Sequence, residues 1–117
     1  PEDLRLHPFR GALFENLMVL EMLKARYNRG ERSNLFHWRD STGNEVDVLV
    51  DKGTVQHAVE MESSQTISDP FFKGLRYWEK LSQQQGGTVI YGGDEPQIRS
   101  RGIQVLSWRE AGNVGLV

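Results

Sequence analysis

The stretch Glu45-Val46-Asp47-Val48-Leu49-Val50-Asp51-Lys52-Gly53-Thr54-Val55-Gln56-His57-Ala58-Val59-Glu60-Met61-Glu62 decides the fold. Alternation puts Val46, Val48 and Val50 on one face and Glu45, Asp47 and Leu49 on the other, the period-two pattern of a strand. Lys52-Gly53 reads as a tight turn and Val55 to Glu62 as the next strand, so the segment is a hairpin. Glu60 and Glu62 share a face, because strand side chains two residues apart point the same way. Across so short a hairpin, Asp47 and Glu60 are expected to be neighbours on adjacent strands.

Upstream, Leu35-Phe36-His37-Trp38-Arg39 alternates weakly and ends in the turn cluster Ser41-Thr42-Gly43-Asn44. The span Leu35 to Glu62 is therefore an antiparallel meander. Before it, Gly11 to about Asn28 contains no proline, is rich in Leu, Met and Glu, and stops at Asn28-Arg29-Gly30, which predicts a long first helix. On a helical wheel Leu13, Leu17 and Leu20 fall on one face, and Gly11, Ala12, Met18, Val19 and Met22 on the opposite one. A helix apolar on both sides is usually covered on both sides. The domain's own sheet would cover one; a partner, such as a second copy in a homodimer through this helix, or another segment of chain would cover the other.

Downstream, Asp69-Pro70 predicts a helix start, with the cap directly before proline at the first helical position. Phe71, Leu75, Trp78 and Ser82 follow helical spacing with Phe72 and Leu81, giving an inward face to about Gln85 that Gly86-Gly87 ends. Thr88-Val89-Ile90-Tyr91 reads as a fourth strand and Ile103-Gln104-Val105-Leu106 as a fifth. The order is α-β-β-β-α-β-β. A β–α–β crossover after a meander implies an α/β fold with a mixed sheet flanked by helices.

The 117 residues suffice for one domain and are too few for two. With 38% apolar and 26% charged residues, the composition is that of a folded domain. The absence of cysteine excludes disulfide scaffolds, thiolate zinc sites and cysteine nucleophiles, and favours a cytoplasmic setting. No run approaches the roughly 18 apolar residues of a membrane span, and no signal-peptide pattern is present. His7, His37 and His57 lack metal-type spacing, and no Walker A string is present. The net charge of −2 means that DNA would have to be bound by focused contacts or with help from elsewhere in the protein. Trp38, Trp78 and Trp108 read as core, and Arg99 and Arg101 as ordinary solvated charge. Pro1 to Arg10 reads as the tail of something earlier, making 1–117 a piece of a longer protein.

The acids stand out against the apolar pattern. Glu15 has Gly11, Ala12, Met18, Val19 and Met22 as wheel neighbours, and Asp47 interrupts a valine-rich strand. A lone carboxylate in such a place costs free energy unless it is paired, protonated or bound to a cation. Several together repel one another unless a metal neutralises them. For a single acid the bland reading is better: an exposed residue, or a partner of Arg39, Lys73 or Arg76. Glu15, Asp47 and Glu60, one from each of three regular elements, together favour a site of hard oxygen ligands suited to Mg²⁺ or Mn²⁺.

Glu45-Val46-Asp47, followed by Glu60-Met61-Glu62 and preceded by an acidic helix, resembles the PD-(D/E)XK restriction-endonuclease-like superfamily. Gly11-Ala12-Leu13-Phe14-Glu15-Asn16, Phe36-His37-Trp38-Arg39-Asp40, Glu60-Met61-Glu62-Ser63-Ser64-Gln65-Thr66 and Gly102-Ile103-Gln104-Val105-Leu106-Ser107-Trp108-Arg109 resemble, more closely, a C-terminal domain of unknown function found on prokaryotic AAA+ ATPases. That resemblance runs from about Leu6 to Arg109. It implies a nuclease-like accessory domain in which Asp47 is the central metal ligand, Glu60 the second, and Glu15 a ligand directly or through water. The Met61 carbonyl would add a ligand, Glu45, Gln65 and Lys73 would stand nearby, and ATP would be handled only by a separate upstream domain. The superfamily pattern has lysine at the position of Glu62, where its charge orients the attacking water. Some restriction endonucleases carry glutamate there and still cleave. The resemblance therefore implies either a metal-dependent phosphodiesterase acting on DNA or a catalytically inactive nuclease-fold module that binds nucleic acid or protein.

Overall fold

A computed structural model describes residues 10–116. The expectations for residues 1–9, His7 among them, lie outside the described residues. The elements are α1 (Arg10–Asn28), β1 (Leu35–Arg39), β2 (Glu45–Asp51), β3 (Gln56–Glu62), α2 (Lys73–Ser82), β4 (Thr88–Tyr91), β5 (Gln97–Ile98) and β6 (Gln104–Ser107). They build one six-stranded mixed sheet in the order β1-β2-β3-β4-β6-β5. The meander β1-β2-β3 is antiparallel, β3-β4-β6 is parallel, and β5 pairs antiparallel on the far edge. The crossover through α2 makes β3 and β4 parallel neighbours, as a β–α–β connection requires.

The sheet has a core on each face. On one side α1 and the short 3-10 segment Trp108–Asn113 cover Val48, Val50, Val59, Met61 and Ile90 with Met18, Met22, Ala111 and Val114. On the other, Phe72 and Leu75 cover Val46, Leu49, Ala58, Val89, Tyr91 and Val105. Arg26, in the last turn of α1, is 1% exposed. Its guanidinium donates to Oδ1 of Asn34 at 2.7 Å, to the Met22 carbonyl at 3.1 Å and to the Val114 carbonyl at 3.0 Å, which ties the end of α1 to the C-terminal segment.

Several boundaries move for identifiable reasons. Val46, Val48 and Val50 do not share a face: Val46 packs on the α2 side, Val48 and Val50 on the α1 side. The β1–β2 register shifts between Phe36↔Leu49 and Trp38↔Val46, so Asp47 and Val48 together stand opposite the single residue His37. This is a β-bulge, which adds a residue to one strand and reverses the alternation beyond it. The third strand begins at Gln56, leaving Val55 exposed in the turn. Ser68 rather than Asp69 caps the second helical region, which opens with a 3-10 turn, Asp69–Phe72, before α2. The helix ends at Ser82, three residues short of the expected Gln85, because Gln83 adopts a left-handed conformation (φ 62°), and Leu81 is exposed. The fifth predicted strand lies one residue later, at Gln104–Ser107, and the two-residue β5 is an addition. Trp38 and Trp78 pack edge to face, whereas Trp108 is partly exposed under the Arg109 guanidinium. Gly11 and Ala12, at the start of α1, are exposed, while Met18 and Met22 are buried.

Candidate acidic site

The bulge sets the geometry of the acids. Asp47 lies where the β2–β3 ladder, running from Asp51↔Gln56 to Val48↔Val59, gives out. Its Oδ2 accepts the backbone N–H of Met61 at 2.9 Å, standing in for a ladder bond with a stronger charge-assisted one. On the other side His37 Nδ1 lies 3.2 Å from the Asp47 carbonyl, and His37 Nε2 lies 3.7 Å from a carboxylate oxygen of Glu45. His37 was not expected at the site. Its role follows from the strand pairing, which a strand's own pattern does not reveal.

Glu60 continues the register opposite Asp47 and points toward α2, where its carboxyl is packed against Gly74. It is 9% exposed, and its Oε1 has no hydrogen-bond partner among the described residues. Burial, then the negative charge of Asp47, then a hydrogen bond shared with the Asp47 side chain push the Glu60 carboxyl up to about 10. Glu60 is therefore a neutral acid at pH 7. Burial followed by the charge of Asp47 raises Glu62 as well. Glu15, on the half-buried flank of α1, is raised by burial first and then by Asp47, with His37 pulling it back. Asp47 is thus the hub: Glu15, Glu60 and Glu62 all respond to its charge.

The arrangement brings Asp47 and Glu60 together and keeps Glu15 and Glu62 within electrostatic reach. Among the described residues, no three of the His, Asp and Glu side chains form a ready-made metal-holding group. Among the described residues, no ion pair involves Glu15, Asp47, Glu60 or Glu62, so the expected partners Arg39, Lys73 and Arg76 do not neutralise them. Arg76 instead pairs with Asp69, and Arg101 with Glu79. Lys73 and Gln65 reach different openings. Lys73 lines a small cavity of about 130 Å³ with Glu45, Gly74 and Tyr77, and Gln65 lines a groove of about 670 Å³ beside α1. His57 is engaged elsewhere, its Nε2 lying 2.8 Å from the Thr88 hydroxyl.

A family model described as Domain of unknown function (DUF4143) matches residues 10–111. The chain belongs to that family. No curated protein and no solved structure matches it. The matched span of the DUF4143 domain takes in every acid described above, together with both helices and the whole sheet.

In this DUF4143 domain the buried acid has a measurable signature. The unfolded chain releases the Glu60 proton above its ordinary 4.5, whereas the folded chain retains it to about 10. The folded state binds more protons across that window, so stability falls as pH rises through it. We expect stability to decline from about pH 5 to pH 9 by up to about 1.4 kcal/mol per pH unit. Glu60→Gln keeps the shape without an ionisable proton and should flatten the decline and stabilise the protein at neutral pH. Urea unfolding at several pH values measures both slopes, and a wild-type stability that rises with pH would refute the assignment.

Proposed function

We propose that this chain is a PD-(D/E)XK-like accessory domain of a cytoplasmic AAA+ ATPase, whose acidic site takes Mg²⁺ or Mn²⁺ and acts on DNA as a phosphodiesterase. The observation that carries the reading is the Asp47–Glu60 pair: two adjacent carboxyl groups, one holding a buried oxygen without a partner among the described residues. A proton resolves the repulsion of such a pair at the cost of leaving Oε1 unsatisfied; a hard divalent cation resolves both.

Asp47 and Glu60 would be the protein ligands, with Glu15 the third acid of the set and the Met61 carbonyl a neutral donor. The cation would supply Lewis-acid stabilisation of phosphate charge and activate a water. Asp47, already fixed by the Met61 N–H, is pre-oriented for this role. Glu62 occupies the position at which the superfamily carries lysine, and it brings no positive charge to a developing oxyanion. ATP would enter only through a separate upstream domain.

Calorimetric titration with Mn²⁺ tests the reading. The wild type should bind in the sub-millimolar to millimolar range and more tightly as pH rises, because the cation displaces the Glu60 proton. Asp47→Ala should abolish the heat. No heat at millimolar Mn²⁺ at pH 8 would sink the metal-site reading. A second reading is a catalytically inactive nuclease-fold module for nucleic-acid or protein binding. Glu62 and the net charge of −2 favour it. Under it, Mn²⁺ binding without cleavage of branched or single-stranded DNA by the full-length protein is the expected result, before and after Glu62→Lys.

A further inference from the structure

We infer that the outer face of α1 is a self-complementary surface that pairs with α1 of a second copy of this chain, antiparallel and about a two-fold axis. The inference is independent of the acidic site. Leu13, Leu17 and Leu20 are 50%, 57% and 54% exposed on a helix whose opposite face already covers the sheet. A contiguous exposed apolar stripe of that kind marks an interaction surface. Their spacing, four then three, is that of a helix–helix seam. Beside the seam runs the groove of about 670 Å³, walled by Phe14, Leu17 and Met18 on α1 and by Trp108 across from it, able to receive apolar side chains.

Charge selects the occupant. Arg10 and Glu21 line the same groove, close to three helical turns apart and on one flank of the leucine stripe. An antiparallel two-fold keeps each flank facing its own copy, so Arg10 of one chain meets Glu21 of the other, twice. In that register Leu13 falls between the second copy's Leu17 and Leu20. A residue that contacts its counterpart's partner and is contacted in return is the signature of an isologous interface. The existing contacts do not compete strongly. Glu21 meets Lys24 at 3.1 Å in an exposed pair, and Arg10 uses one nitrogen on the Ser63 carbonyl.

Sedimentation equilibrium of the chain tests this. At tens of micromolar the expected mass is twice 13.4 kDa. Leu17→Asp, at an exposed position that leaves the fold unchanged by circular dichroism, should give monomer. Arg10→Glu and Glu21→Arg should each weaken association about tenfold or more, since each sets like charges opposite one another twice. The double variant Arg10→Glu with Glu21→Arg should regain the wild-type association. A wild-type monomer up to about millimolar concentration overturns the proposal. So does a dimer indifferent to Leu17→Asp, or one that either charge reversal weakens but the double variant fails to restore.

Discussion

Arg26→Ala is expected to destabilise the domain by about 3–5 kcal/mol, enough to bring a fold of ordinary stability close to unfolding. The guanidinium is 1% exposed and forms no ion pair among the described residues; its hydrogen-bond partners are three oxygens from three places in the chain. Burial lowers its pKa, yet an arginine remains charged at any pH at which the protein folds. Removing it strands the Val114 carbonyl and the Asn34 Oδ1, at about 1–3 kcal/mol each, while the Asn34 Nδ2 keeps its bond to the Asp51 carbonyl, and it leaves a cavity in a packed layer. The Met22 carbonyl keeps its place in the helix, so it adds little. Arg26→Lys should fall between, since one ammonium cannot span the same three acceptors in a plane. Asn34→Ala removes one limb and should cost about 1–2 kcal/mol, which keeps the test open if Arg26→Ala fails to fold. Denaturant midpoints compared at constant m decide it; a cost under about 1 kcal/mol for Arg26→Ala would mean that the arginine is not the tie it looks to be.

Arg26 also marks the limit of what the sequence reveals. Alternation and turn chemistry locate the strands because those signals are local: Glu45–Asp51 and Thr88–Tyr91 lie where their patterns put them. An arginine near the end of a helix reads as solvated charge, and only the return of the C-terminal segment over α1 buries it. The bulge at Asp47 is hidden for the same reason. The extra residue is defined against His37 on β1, and a strand in isolation carries no record of its partner's register. The acids were legible because carboxylates among valines conflict with their surroundings, and such conflicts concentrate at functional sites. What did not follow from the pattern was that Glu60 would turn toward α2 while Glu15 approaches from α1. The meeting of Asp47 with Glu60 was legible. The expected grouping of Glu15 with that pair is met only at electrostatic range.

One position tests that placement of Glu60 more sharply than any substitution of the acid itself. Gly74 lies in the first turn of α2, where alanine would ordinarily stabilise a helix by about 1 kcal/mol. Here the sign is expected to reverse. A Cβ on residue 74 would overlap Oε1 of Glu60, stand 2.8 Å from its Cδ, and reach 3.0 Å from the backbone carbonyl of Glu45. The carboxyl has to be expelled from a buried slot or α2 has to lift off the sheet, and we expect Gly74→Ala to cost about 2–4 kcal/mol. Expulsion also separates Glu60 from Asp47, so the variant should lose the pH-dependent decline in stability and, if the metal reading holds, Mn²⁺ binding as well. Shortening the acid makes room: in the double variant Glu60→Ala with Gly74→Ala the second substitution should cost at least about 1 kcal/mol less than it does alone, a coupling that only contacting residues produce. Glycine within a helical turn is itself a sign of close approach by a neighbour, and the neighbour here is the one buried carboxyl oxygen without a partner among the described residues. Should Gly74→Ala prove neutral or stabilising and leave the pH dependence intact, Glu60 does not occupy that slot, and the paired-acid site has no structural basis.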